Sequence, residues 1–191
     1  MNLVDLDPAT RAYMRAEVER DIAAGTLYLS DRLNSAGIRE YPRLLLDAMD
    51  HGTPASFATA IRQRGLLNRA ETAIKGRPPD VVPPTAADTL AEGEFNRFYM
   101  RGVCARAIAA GMEHVEVYQA QSEKRALQES EAMIGRQLNA QGLLNELRRL
   151  NLVDQALGLP IGVDSGLSVW FPGVSNETTE HGGIDPSDLG R

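Results

Sequence analysis

A mostly helical protein with a small β element (α+β) is expected from three features of the chain. Residues from about Thr85 to Ala110 keep helical spacing without a proline. Helix-start signals recur in the first third at Asp7-Pro8 and Thr53-Pro54. Two short segments late in the chain, Val115–Tyr118 and Leu167–Phe171, alternate as half-buried strands do.

The chain has 191 residues, 43% hydrophobic and 24% charged, a balance that supports a packed core without disulfides or metal. Aromatics are only 5%, so aliphatic side chains must fill most of that core. A net charge of -6 argues against general attraction to a phosphate backbone, so a nucleic-acid partner is not expected. Cys104 is the single cysteine, which excludes an internal disulfide and fits a reducing, cytoplasmic compartment. No apolar run approaches the ~18 residues of a membrane span, and no signal-type start is present.

Asp7 is placed as the N-cap of the first helix, Pro8 at its first position and Gly25 at its left-handed stop. Met14, Val18 and Ile22 recur every fourth residue as its apolar stripe, with charged residues over the rest of the surface. Ser30 is read as the cap of a single turn ending at Gly37. A further helix then runs from about Tyr41 to Asp50, with Leu44, Leu45, Ala48 and Met49 on one side. Thr53-Pro54 opens a helix through Phe57 and Ile61 that closes at Gly65.

Composition shifts between Lys75 and Pro84, where four prolines forbid a helix. The segment reads as a stiff linker in preference to a proline-rich ligand for an aromatic groove. The expected organisation is a helical half over 1–70, a Pro-rich linker over 71–85, a central helix with a small α+β half over 86–172, and a flexible acidic tail over 173–191. In the third part, residues 121–130 read as loop. Leu143, Leu144, Leu147 and Leu150 mark a helix whose Arg148-Arg149 pair suits its negative end. The strand at 115–118 is the natural partner of the strand at 167–171.

Around the central helix, Phe95, Phe98, Gly102, Ala105 and Ala109 form one stripe, two rings followed by small residues that invite a close helix neighbour. A second row reads Leu90, Glu94, Arg97, Arg101, Cys104 and Ile108, its charges bracketed by apolar residues and so shielded from water. Shielded ions need partners. Glu94 reaches Arg97 at i+3, but Arg101 lacks an acid on this face. Three explanations compete: an ion-pair network using Glu116, Glu129, Glu131 or a helix C-terminal carbonyl; a two-pronged anion site; or a contact for an acidic partner.

His51, His114 and His181 lack metal-ligand spacing, and no metal or cofactor is expected. Cys104, mid-helix, reads as a small core residue and not a nucleophile. Ser165 has no Gly-x-Ser-x-Gly around it, and Gly158, Gly162 and Gly166 make no phosphate loop. Arg125, close to the first strand, is a secondary anion-binding candidate. Trp170 and Phe171 either seal the core or offer an aromatic interface anchor.

The function expected from these features is non-enzymatic: a protein-interaction or assembly protein that self-associates. The alternative is a small enzyme or binding protein for a phosphate- or carboxylate-bearing ligand, held by Arg97 and Arg101 with Glu94 as general base.

Overall fold

Asp7 opens helix α1 (Pro8–Ala24) as expected: its carboxylate accepts the Thr10 N–H at 2.8 Å, Pro8 fills the first turn and Gly25 ends the helix at φ 66°. This computed structural model describes residues 1–71, 80–121, 128–160 and 164–172. The predicted inward stripe of α1 holds only in part. Met14 and Val18 are fully buried, but Ile22 is 39% exposed, while Thr10, Glu17 and Asp21 turn inward. The helix is rotated toward a pair of cations on a neighbour, as described below.

The single turn expected to end at Gly37 and the helix expected from Tyr41 are one helix, α2 (Ser35–His51). Asn34, not Ser30, is its cap, accepting the Gly37 N–H at 2.9 Å. Gly37 marks a close approach and not a stop: a Cβ there would lie 2.3 Å from the Leu66 carbonyl oxygen. Pro42 sits inside the helix and removes one N–H from its ladder. Helix α3 (Pro54–Gln63) opens with a reciprocal capping box between Thr53 and Ser56, and Gly65 follows at φ 61°.

The expected linker folds back on itself at its ends. Ala70 and Val81 form an antiparallel bridge, with the Glu71 N–H on Asp80 O at 2.8 Å and the Val82 N–H on Arg69 O at 3.1 Å. Residues 72–79, including part of the proline-rich stretch, lie outside the described residues.

Helix α4 (Ala86–Ala109) is the interior helix the sequence predicts, contacting α1, α3, β3 and α6. Its Gly102 does what a small residue in a stripe suggests, letting α1 approach until a Cβ would meet Met14 Cγ at 2.6 Å and Thr10 O at 3.1 Å. Arg106 in its last turn donates to Asp7 and Thr10 at the start of α1, and Arg101 meets Glu17 and Asp21 farther along. The two helices therefore run antiparallel.

Strand β1 (His114–Gln119) is the middle strand of an antiparallel sheet, flanked by β2 (Gln137–Asn139) and β3 (Leu167–Trp170). The anticipated pairing is present, with Val117 opposite Val169 and Glu116 opposite Trp170. The sheet has a third strand that the two-strand reading lacks. Three residues with a half-exposed pattern give no strand signal. One turn, α5 (Gln128–Glu131), falls where loop was expected. Helix α6 (Ala140–Arg149) is capped by Asn139, which accepts the Gly142 N–H at 2.8 Å, and buries Leu143, Leu144 and Leu147. The single turn α7 (Val153–Ala156) then leads toward β3.

The residues before α1 strap across the sheet. The Asn2 N–H donates to Ala120 O at 2.7 Å, the Tyr118 hydroxyl to Asn2 O at 2.8 Å, and the Phe171 N–H to the Asp5 carboxylate at 2.7 Å. One apolar cluster runs from Met14 through α4 to Phe171. Because Gly102 has no slack on its α1 side, Gly102→Ala is expected to destabilise the fold by about 1–3 kcal/mol. Chemical denaturation checks this, with Gly93→Ala on the open side of the same helix as the stabilising control.

Candidate functional site

The charged row of α4 is buried: Glu94 is 3% exposed, Arg97 1% and Arg101 0%. Glu94 grips Arg97 in a fork, Oε1 to Nε at 3.0 Å and Oε2 to Nη2 at 2.7 Å. The partners of Arg101 are not Glu116, Glu129 or Glu131 but two acids on α1. Its Nε and Nη2 donate to Glu17 Oε2 at 2.9 and 2.7 Å, and its Nη1 and Nη2 to the two Asp21 oxygens at 2.6 and 2.8 Å. Glu17 also accepts Arg148 from α6, at 2.9 and 2.5 Å. Arg148 therefore reaches across to α1 instead of resting on its own helix end, while Arg149 pairs with Glu146 at the surface. The guanidinium carbons of Arg97 and Arg101 stand 4.5 and 4.7 Å from the Phe98 ring centroid, adding cation–π attraction.

Glu17, Asp21 and Glu94 thus face the guanidinium groups of Arg97, Arg101 and Arg148, with the more exposed Arg20 also 3.8 Å from Asp21. Burial alone would raise the Glu17 pKa, but hydrogen bonds and charge from Arg148 and Arg101 outweigh it and hold the group below its ordinary range. At Glu94 burial prevails over the Arg97 charge and fork, and the pKa is raised. Tyr41 lies fully buried beside this carboxylate. Its hydroxyl makes no hydrogen bond of normal geometry, and burial followed by the Glu94 charge keeps it protonated. The anion-binding reading needs guanidinium N–H groups turned toward a ligand. All three nitrogens of Arg101 are engaged by Glu17 and Asp21, and Arg97 directs Nε and Nη2 at Glu94.

The other sequence candidates are spread apart. Phe171 is buried with its ring facing Arg106, so it seals the core, whereas Trp170 is half-buried at the end of β3. Arg125 and His181 lie outside the described residues. Cys104 is buried in the core, where burial pushes its thiol pKa far up and leaves it unreactive. Ser165 is held by Asp154, which accepts both its hydroxyl and its N–H, and its own Oγ accepts the Leu167 N–H. It shapes the turn into β3. Among the described residues no group of His, Cys, Asp and Glu is arranged to hold a metal ion, and no helix is long and apolar enough to cross a membrane.

A cleft of about 590 Å³ opens elsewhere, between the first turns of α4, the α6–α7 connection and the turn before β3. Glu92, Gln121, Leu152, Asp154 and Asp164 are among its walls. Leu152 is 53% exposed, and Gly93 leaves open space where a side chain would stand. No motif marks this cleft in the sequence, because its walls come from five separate segments. The nearest linear signal is the acidic spacing of Asp88 and Glu92, one turn apart on α4.

Comparison with known protein families, with curated proteins and with solved structures finds no match for this chain.

The buried cluster generates a pH prediction. Glu17 is lowered in the fold, so the unfolded chain binds its proton more readily. The stability it contributes is present above the ordinary value near 4.5 and lost as pH falls through the lower folded value. Glu94, being raised, acts in the opposite sense, its contribution present below that ordinary value and lost as pH rises through the folded one. Glu17→Gln is expected to cost about 3–5 kcal/mol near neutral pH, because two cations lose their shared acid, and to flatten the acid limb of the stability curve. Denaturant titrations between about pH 3 and 7 read both effects, and an unchanged acid limb would remove Glu17 from its place in the cluster.

Proposed function

We propose that this chain is a non-enzymatic interaction or assembly protein that engages a protein partner, a second copy of itself being the first to test. The cleft beside α4 carries this reading: exposed Leu152 and Met1 stand on its walls next to the carboxylates of Asp88, Glu92 and Asp154. Exposed apolar side chains set among polar groups are a feature of protein-binding patches. The buried arginines support the same direction. Hydrogen bonds from Arg101 go to Glu17 and Asp21 on α1 and those from Arg97 to Glu94, which favours a helix-fixing role for both over a ligand-holding one.

The test is the solution mass of the purified protein over a concentration series. Self-association predicts species heavier than the 20.8 kDa chain at the highest concentrations. Leu152→Asp, at an exposed position, is expected to change stability by less than about 0.5 kcal/mol while weakening the assembly. A monomer at every concentration, with no loss on Leu152→Asp, counts against self-association and leaves a different protein as the partner.

A further inference from the structure

We infer that residues 1–6 form a strap that opens and closes as a unit on the hydroxyls of Tyr99 and Tyr118, and that in its closed position it completes the wall of the cleft beside α4. This rests on the interaction reading above and gives its site a means of control.

The strap is held by a few polar contacts that converge on two side chains. Tyr118, on β1, donates its hydroxyl hydrogen to Asn2 O at 2.8 Å and accepts the Val4 N–H at 3.3 Å. Tyr99, on α4, accepts the Asp5 N–H at 3.0 Å. Two further bonds run from the Asn2 N–H to Ala120 O and from the Phe171 N–H to the Asp5 carboxylate. Three of these five contacts thus pass through two oxygen atoms, which belong to different elements. Burial raises the pKa of both hydroxyls, Tyr99 also feeling its neighbour Tyr118, so both keep their protons and Tyr118 stays a donor. Apolar anchorage is slight by comparison. Leu3 and Leu6 are half-buried against the core, while Val4 is 57% exposed and Met1 39%.

The inner limit of the strap is equally defined. Asp7 is fixed from two sides, its carboxylate accepting the Thr10 N–H at 2.8 Å and Arg106 Nη1 at 2.7 Å, so α1 stays docked when the strap lifts. The turn ahead of it is light: the Leu6 N–H reaches Leu3 O at 3.4 Å. Few buried apolar contacts and solvent-exposed hydrogen bonds mark a segment that opens at less cost than global unfolding, and both bonds of the Tyr118 hydroxyl are exposed.

The strap meets the cleft at Met1, one of the lining residues. Its Asn2 N–H holds Ala120, the residue before Gln121, and Tyr99 stands three positions after Asn96; Gln121 and Asn96 line the cleft too. The contacts that close the strap therefore lie on the segments that form this side of the cleft. Opening withdraws Met1 from the wall and leaves exposed Leu152 without it; closing presents both.

The experiment uses the full chain, labelled for amide NMR, as wild type, Tyr118→Phe and Tyr99→Phe, with hydrogen exchange as the first readout. Tyr118→Phe leaves the Asp5 and Phe171 N–H groups with their own acceptors. A strap that moves as a unit is nevertheless expected to lose protection at both, about five- to tenfold, with α4 unchanged. Tyr99→Phe is expected to do the same to Val4 and Phe171. Faster exchange confined to Val4 in the first variant and to Asp5 in the second would show independent contacts and overturn the inference, and so would an equal loss throughout α4. The second readout is the chemical shift of the Gly93 and Leu152 amides, on the cleft walls and distant in sequence from Tyr118. Both are expected to move in Tyr118→Phe as Met1 leaves; unmoved, they would show that the strap has no hold on the cleft. Solution mass is expected to show weaker self-association in Tyr118→Phe, and unaltered association with the strap loosened would also remove its role at the cleft. A wild-type chain that is monomeric at every concentration counts against self-association alone, because exchange and shifts decide the strap without a partner.

Discussion

A guanidinium with no exposure to solvent cannot exist in a small protein unless acids are brought to it, and Arg101 imposes that condition on everything around it. Its nitrogens reach Glu17 and Asp21, one helical turn apart on α1, so the depth and rotation of α1 against α4 are set together. Slide α1 by a turn and only one of the two acids still meets Arg101, while the other loses it. Arg148 draws α6 onto the same Glu17, and three helices are thereby indexed to one carboxylate. Such a cluster does not necessarily add net stability over an apolar core of equal volume. What it supplies is a heavy penalty for every other arrangement.

Close packing makes this geometry reachable. Gly102 lies one residue beyond Arg101 and lets the α1 backbone come near enough for short carboxylates to span the gap. Phe98, one turn earlier, places its ring beside both guanidinium groups. Arg106 closes the far end by donating to Asp7 and Thr10, so the N-terminal cap of α1 also depends on α4. The ion pairs, the missing side chain and the ring form one interlocking contact. Phe171 behind Arg106 carries it on to the sheet.

Much of this was legible from residue order. The bounds of α1, α3 and α4 followed from Asp7-Pro8, Thr53-Pro54 and an uninterrupted helical pattern, and the pairing of the two main strands from their alternation. Two errors share a cause: a glycine or a charge was judged from its local neighbours. Gly37 looks like a stop unless one knows that Leu66 passes close by. Glu17 and Asp21 look like solvent-facing residues unless one asks which acids answer Arg101, although each stands three positions after a buried stripe residue, Met14 and Val18. Strand β2 is too short to carry a pattern. The cleft is invisible to linear reading, since Gln119, Gln121, Leu152 and Asp154 become neighbours only after the sheet and α7 are in place.

The antiparallel bridge between Ala70 and Val81 clasps the path from α3 to α4 at its neck, with the Glu71 N–H on Asp80 O and the Val82 N–H on Arg69 O. Arg32, just ahead of α2, ties Glu71 in turn through an ion pair at 2.8 Å. The approach to the central helix is thereby moored to the entry of α2, by main chain on one side and by charge on the other.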